Sequence, residues 1–300
     1  MEDFAPIVLF TYKRLDTLKQ TVEALKKNNL ASQSDLYIFS DAARGDQDAE
    51  GVDKVRNYIK SIDGFKTVTI YESLLNKGLA SSIIEGVTEI LKIHETVIVL
   101  EDDLVSTNNF LDFMNQSLDD FKNEDKVFSI SGFSFNLQID DEYIYDTYFL
   151  NRGWSWGWAT WRDRWEKIDW EIQDYSEFVK DSNAQKTFSE GGSDLNGMLK
   201  KQMNGKLDSW AIRWFYNQFK CKGLTVYPVE SKILNEGFGV NATHTKGSPR
   251  RYMPFLDTNN KRTFVHPLVV EITGEAQQKF QIKMGYFSRL KSKIETFIGL

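Results

Sequence analysis

The sequence predicts an α/β fold with a doubly wound, mostly parallel central sheet and helices on both faces, on three observations. Short apolar runs alternate with amphipathic helical patterns through the first hundred residues, and those helices are long enough to act as crossovers between parallel strands. Each apolar run ends in polar or flexible residues, as the ligand-facing rim of such a sheet requires.

The elements run in order along the chain. An apolar run at Ala5–Thr11 predicts the first strand, and Leu15 to Asn28 carries the first helical pattern. A strand is expected at Asp35–Ser40, a helix around Asp48–Ile62, a strand at Lys66–Tyr71, a helix from Leu79 to Lys92 and a strand at Thr96–Leu100. A helix over Asn108–Lys122 and a strand at Val127–Ser131 come next. Beyond them the texture becomes aromatic: all 8 tryptophans lie between Trp154 and Trp214. Trp161 and Trp165 have helical spacing. Most of these rings are expected in the core, with one or two left to stack on a ligand. The domain reading is a ligand-binding half at 1–105, a Trp-rich half with a loop at 106–270, and an amphipathic basic tail at 271–300.

Composition excludes several classes. A formal net charge of -6 opposes general nucleic-acid binding, which requires a basic surface. One cysteine, Cys221, forms no internal disulfide and suits a reducing compartment, and three scattered histidines make a Cys/His zinc cluster improbable. The acidic opening Met1-Glu2-Asp3 lacks the basic n-region of a signal peptide, and no apolar run is long enough to span a bilayer, so a cytoplasmic location is expected. The first strand is followed by Thr11-Tyr12-Lys13-Arg14 with no glycine. That disfavours dinucleotide-binding and P-loop enzymes.

The strongest chemical signal is "VIVLEDDLV", an apolar strand running into Glu101-Asp102-Asp103. Unpaired carboxylates beside a core cost several kcal/mol unless something positive compensates. Strand alternation aims Glu101 and Asp103 to one side and Asp102 to the other, with the turn after them letting two carboxylates reach one ion. Hard oxygen ligands without His or Cys suit Mg2+ or Mn2+. The competing reading is an acidic cap on a helix directly after the strand.

Taken in order, "PIVLFTYKR", "IFSDAARGD", "NKGLASSIIEGV", "VIVLEDDL", "GWSWGWATW", "DSWAIRW" and "NEGFG" resemble the GT-A-fold glycosyltransferases, over roughly Pro6 to Gly239. The similarity is greatest to the N-acetylglucosaminyltransferase I type and its bacterial relatives in surface-polysaccharide synthesis. The resemblance implies an inverting, metal-dependent transfer of a sugar from a nucleoside diphosphate donor, commonly UDP-linked, with UDP-GlcNAc a candidate. It implies that Arg14 meets the nucleotide, that Asp41 hydrogen-bonds the uracil, and that Asn76, Lys77 and Gly78 line the ribose and diphosphate. Glu101 and Asp102 would contact donor sugar and ribose, and Asp103 would bind the metal. Each has a plainer reading: Arg14 and Lys77 as solvated cations, Asp41 as a turn former.

Inversion requires a carboxylate at the acceptor hydroxyl. Asp208 in "LDSWAIRW" is the candidate base, although Asp before Ser209 also suits a helix N-cap; Glu236, Asp169 and Asp163 are the alternatives. Trp154, Trp158 and Trp210 are candidate acceptor platforms. "NEGFGVNATHTKGSPR", Asn235 to Arg250, suits a closing loop in which Glu236 and His244 would face the site. In the tail, Phe287, Leu290, Ile294, Phe297 and Ile298 form one helical stripe accompanied by Lys283, Arg289, Lys291 and Lys293. This pattern suits peripheral contact with anionic lipid and a lipid-linked acceptor, or packing on protein. The rival functions are a sugar nucleotidyltransferase, which calls for a Gly-rich basic loop after the first strand, and a non-catalytic carbohydrate-binding protein, which leaves the triple acid unexplained.

Overall fold

The computed structural model describes residues 4–140, 142–237 and 249–297. Its first half alternates strictly: β1 (Ile7–Thr11), α1 (Leu15–Lys26), β2 (Asp35–Ser40), α2 (Asp46–Ile59), β3 (Thr67–Glu72), α3 (Gly78–Leu91) and β4 (Thr96–Glu101). The second half is less regular. It runs β5 (Leu104–Ser106), α4 (Phe110–Asp120), β6 (Val127–Ser131), β7 (Thr147–Leu150), β8 (Trp158–Trp161) and the short helices α5 (Arg162–Trp165) and α6 (Tyr175–Phe178). It continues with α7 (Ser182–Ser189), α8 (Leu195–Met203), α9 (Trp210–Lys220), β9 (Leu224–Pro228), β10 (Ile233–Asn235), α10 (Gly274–Met284) and α11 (Tyr286–Phe297).

Strands from both halves share one 8-stranded sheet in the order β3-β2-β1-β4-β8-β6-β9-β7. β3, β2, β1 and β4 are parallel, with Ile7 in register with Leu36 on one side and Ile98 on the other. β8 enters antiparallel to both β4 and β6, and β7 is antiparallel to β9; the remaining strands run together. The central strands are apolar throughout because both of their faces are covered. Ile98 and Leu100 of β4 enter the core with α1, α2 and α4, whereas Val97 and Val99 enter the opposite core with α3, α8 and α9. Burying each such side chain contributes about 1.5–3 kcal/mol, so the two layers hold the β4 rim rigidly.

Two expectations need correction. Trp161 and Trp165 do not share a helix face: Trp161 closes β8 and donates to the Leu118 carbonyl (3.1 Å), while Trp165 lies in the opposite core and donates to Thr88 Oγ1 (2.9 Å). Helical spacing here is the accident of a strand ending where a short helix begins. Nor does the triple acid alternate as a strand. β4 ends at Glu101, Asp102 and Asp103 form a tight turn, and the chain then enters β5, with α4 starting only at Phe110, so neither aspartate caps a helix. No helix among the described residues is long and apolar enough to cross a membrane.

Candidate functional site

A cleft of about 290 Å³ opens beyond the carboxyl ends of β1, β2 and β4, where a doubly wound sheet places its ligands. One wall carries Tyr12, Lys13 and Arg14 after β1, Asp41 and Arg44 after β2, and Glu101, Asp102 and Asp103 at the end of β4. The other wall comes from the second half: Ser155, Trp156, Leu207, Asp208, Ser209 and Trp210.

Arg14 is the cation that the triple acid demands. Its Nη2 lies 2.5 Å from Asp102 Oδ1 and 2.9 Å from Asp103 Oδ2, so both turn carboxylates face one guanidinium. The Tyr12 N–H donates to the other Asp102 oxygen at 3.3 Å. Three carboxylates against one guanidinium leave excess negative charge in a poorly solvated corner. Desolvation and the neighbouring Asp103 and Asp102 push Glu101 up to about 8. Asp102 rises to about 6 by burial, despite the opposing pull of Arg14.

β5 pairs antiparallel with β10, Leu104 opposite Asn235, and brings 235–237 against the acidic turn. The Glu236 N–H donates to the Asp103 carbonyl (2.9 Å), and the Gly237 N–H donates to Asn235 Oδ1 (2.6 Å). A Cβ on Gly237 would stand 2.1 Å from Asp103 Oδ2, so any other residue forces the carboxylate or the backbone to shift.

Asp41 has a fully used carboxylate. Oδ1 accepts from the Ala42 and Lys77 N–H groups, both at 2.9 Å, while Oδ2 accepts from Asn76 Nδ2 (3.0 Å) and the Gly78 N–H (2.9 Å). Four donors satisfy the roughly four acceptor positions of a carboxylate, which argues against the uracil contact that the resemblance implies. Asp41 instead fastens the start of α3, where Gly78 at φ 75° turns successive amides toward it. Lys77 contributes only its backbone to this arrangement, since its ammonium pairs with Glu85 (2.5 Å) and it does not border the cleft.

Asp208 borders the cleft with a 69% exposed side chain, 3.3 Å from Arg213 Nη2. It is not the N-cap of α9: Ser209 takes that role, its Oγ accepting from the Ile212 N–H at 3.4 Å. Of the aromatic candidates, Trp210 borders the cleft, whereas Trp154 and Trp158 are buried away from it. Trp158 packs against Trp210 (4.9 Å between rings), Trp165 and Trp214. Glu236 is exposed but outside the cleft lining. Asp163 pairs with Arg164, and Asp169 accepts three turn amides, so neither alternative base reaches the cleft. His244 and 238–248 of the expected closing loop lie outside the described residues.

Tyr12, Arg44 and Trp156 also border the cleft, although none is among the site residues expected from the sequence. Tyr12 is held by its hydroxyl, which donates to buried Asp48 (2.7 Å) and accepts from the Arg44 N–H (3.0 Å); Asp48 also pairs with Lys13 (2.5 Å). The polar residues of "FTYKR" were a usable signal for this platform. Nothing in "GWSWGWATW" distinguishes Trp156 from its neighbours.

Among the described residues no three His, Cys, Asp or Glu form a ready-made metal cage. The donor chemistry still fits a hard divalent cation held by one or two carboxylates, with its other positions supplied by phosphate and water, because the turn carries more negative charge than Arg14 neutralises.

No protein-family model and no curated protein matches the chain. Among solved structures, it is similar to S. aureus TarS at 16% identity and TM-score 0.29, over 43% of this chain and 21% of that one. It is also similar to the mannosyltransferase PcManGT from Pyrobaculum calidifontis, in complex with GDP-Man and Mn2+, at 12% identity and TM-score 0.37, over 54% of this chain and 48% of that one. These likenesses are partial in both directions, and the functional reading rests on the cleft itself.

Proposed function

We propose that the chain is an inverting, divalent-cation-dependent glycosyltransferase of the GT-A type. It would move a sugar from a nucleoside diphosphate donor, UDP-linked and UDP-GlcNAc among the candidates, to a glycan or lipid-linked saccharide. One observation carries the reading: the cleft sets the Arg14-bridged carboxylates of the β4 turn on one wall and the exposed carboxylate of Asp208 with Trp156 and Trp210 on the other.

Asp103 and Asp102 would hold the cation, Mn2+ or Mg2+, which when bound offsets the charge developing on a departing diphosphate. Tyr12 and Arg44 would receive the nucleotide, with Asp41 shaping that end of the cleft by fixing Asn76, Lys77 and Gly78. Trp156 and Trp210 would present apolar surface to a sugar ring. Asp208 would accept the proton of the attacking hydroxyl as the new bond forms on the face opposite the diphosphate. With Ser209 capping α9, the Asp208 carboxylate is not spent on the helix terminus and borders the cleft. The basic tail favours a peripheral position on the inner face of the membrane, as in bacterial surface-polysaccharide synthesis.

The deciding experiment combines a thermal-shift screen of nucleoside diphosphates, with and without Mn2+, with assay of sugar transfer. A cation-dependent stabilisation by one nucleotide that disappears in Asp103→Ala, together with loss of transfer, supports the reading. Unchanged turnover in a folded Asp103→Ala protein defeats it. Pyrophosphate release from a sugar phosphate and a nucleoside triphosphate would assign the cleft to nucleotidyl transfer instead.

A further inference from the structure

Helix α11 is packed with its polar side inward. An advance of about 100° per residue puts Phe287, Leu290 and Ile294 on one face and Ser288 and Ser292 on the opposite one. In a helix that merely closes a domain, the apolar face turns to the core. Here Ser292 is 4% exposed, whereas Phe287 is 83%, Ile294 53% and Leu290 42% exposed. Tyr286, its ring 5.8 Å from that of Phe287, is exposed at the start of α11, and Ile282 is exposed near the end of α10. Phe297's side chain and Ile298, the other members of the predicted stripe, lie outside the described residues.

One polar contact on the inner side belongs to α11 itself, and two more hold the adjoining end of α10. Arg289 Nη1 donates to Ser193 Oγ (3.3 Å), Ser193 Oγ donates to the Met284 carbonyl (2.9 Å), and Arg251 Nε donates to the Lys283 carbonyl (3.2 Å). The apolar stripe faces away from these contacts, with Phe287 and Ile294 more than half exposed and Leu290 42% exposed.

We propose that this face is a docking surface for an anionic lipid bilayer. Lys291, 79% exposed and 3.9 Å from the largely covered carboxylate of Glu295, and exposed Lys293 stand on either flank of the stripe, so its rim carries two accessible ammonium groups. An apolar stripe edged by lysines is the chemistry of an interfacial helix, whose side chains enter the acyl boundary while its cations meet phosphate headgroups. A second copy of the chain is the poorer occupant, because self-association through this face would set two lysine rims against each other. The anchoring also leads to the cleft: Arg251 adjoins Tyr252, whose ring lies 5.4 Å from Trp156. Docking through α11 therefore ties the bilayer to the second-half wall of the cleft. The benefit of this for a lipid-linked acceptor rests on the proposed transfer reaction; the docking itself does not.

Flotation of the full chain with vesicles of equal parts phosphatidylglycerol and phosphatidylcholine tests the inference without any substrate. The wild type floats with these vesicles and at least tenfold less with pure phosphatidylcholine. Phe287→Ser/Leu290→Ser/Ile294→Ser loses at least tenfold in partition. So does Lys291→Glu/Lys293→Glu, since each basic residue near an anionic surface contributes about fivefold. All five side chains are exposed, and unchanged melting temperatures confirm that the variants fold. A wild type that stays at the bottom of the gradient overturns the proposal, as do variants that float like the wild type. A dimer in sedimentation velocity that the triple serine variant dissolves assigns the face to a second copy and overturns it equally.

Discussion

Replacing Arg14 with methionine keeps the length of the side chain and removes the charge bridging Asp102 and Asp103. At 2.5 and 2.9 Å from the two carboxylates, the guanidinium gains about 6 kcal/mol of Coulomb energy from each at an effective dielectric constant of about 20, before its own desolvation is subtracted. Breaking a buried pair by removing one partner costs roughly 3–5 kcal/mol net. Arg14 keeps 22% of its side chain exposed, so the lower end, about 3 kcal/mol, applies. For a chain of this length that amounts to a melting temperature lower by about 5 °C. The pH dependence is the distinctive part. Glu101 and Asp102 are raised to about 8 and about 6, so they bind more protons folded than unfolded, and stability falls as pH rises from their ordinary carboxylate range to about 8. Without Arg14, Asp102 loses the partner that opposes its rise, and the penalty of Arg14→Met should grow between pH 5 and pH 8. Thermal melts of both proteins across that range, without added metal, measure it. A penalty that is constant with pH, or no loss of stability accompanied only by a raised KM for donor, would refute the electrostatic account and make Arg14 a simple nucleotide contact.

Other consequences can be measured separately. If the β4 turn binds Mn2+, the stabilisation should be larger at pH 8 than at pH 6, because the cation would displace the protons that Glu101 and Asp102 retain; thermal shift at the two pH values checks the sign. Gly237→Ala forces its methyl to within 2.1 Å of Asp103 Oδ2 unless the turn shifts, so a loss of about 1–3 kcal/mol and a weakened Mn2+ response are expected together in one set of melts. Asp208→Asn should leave the melting temperature unchanged, since that side chain is 69% exposed, and keep nucleotide binding while abolishing transfer; full activity would remove Asp208 from the mechanism.

The sequence by itself determined the alternating first half and its rim. Periodicity and burial on both sheet faces are local properties, and the ends of β2 and β6 fall at the residues the pattern predicts. The apolar strand running into Glu101-Asp102-Asp103 likewise announced a site, because no core tolerates three such carboxylates without compensation. The partners of those carboxylates were decided only in three dimensions. Arg14 is 88 residues from Asp102 in sequence, and the antiparallel pairing of β5 with β10 is what carries Gly237 to Asp103. Tertiary structure also chose Trp156 over Trp154 and Trp158, gave the α9 cap to Ser209 rather than Asp208, and spent the Asp41 carboxylate on a loop. In α11 the sequence showed that an apolar stripe exists, and the fold alone turned it outward. The physical reason is common to all of these: a residue's type fixes which interactions it can make, but the geometry of distant segments fixes which of them are left to make.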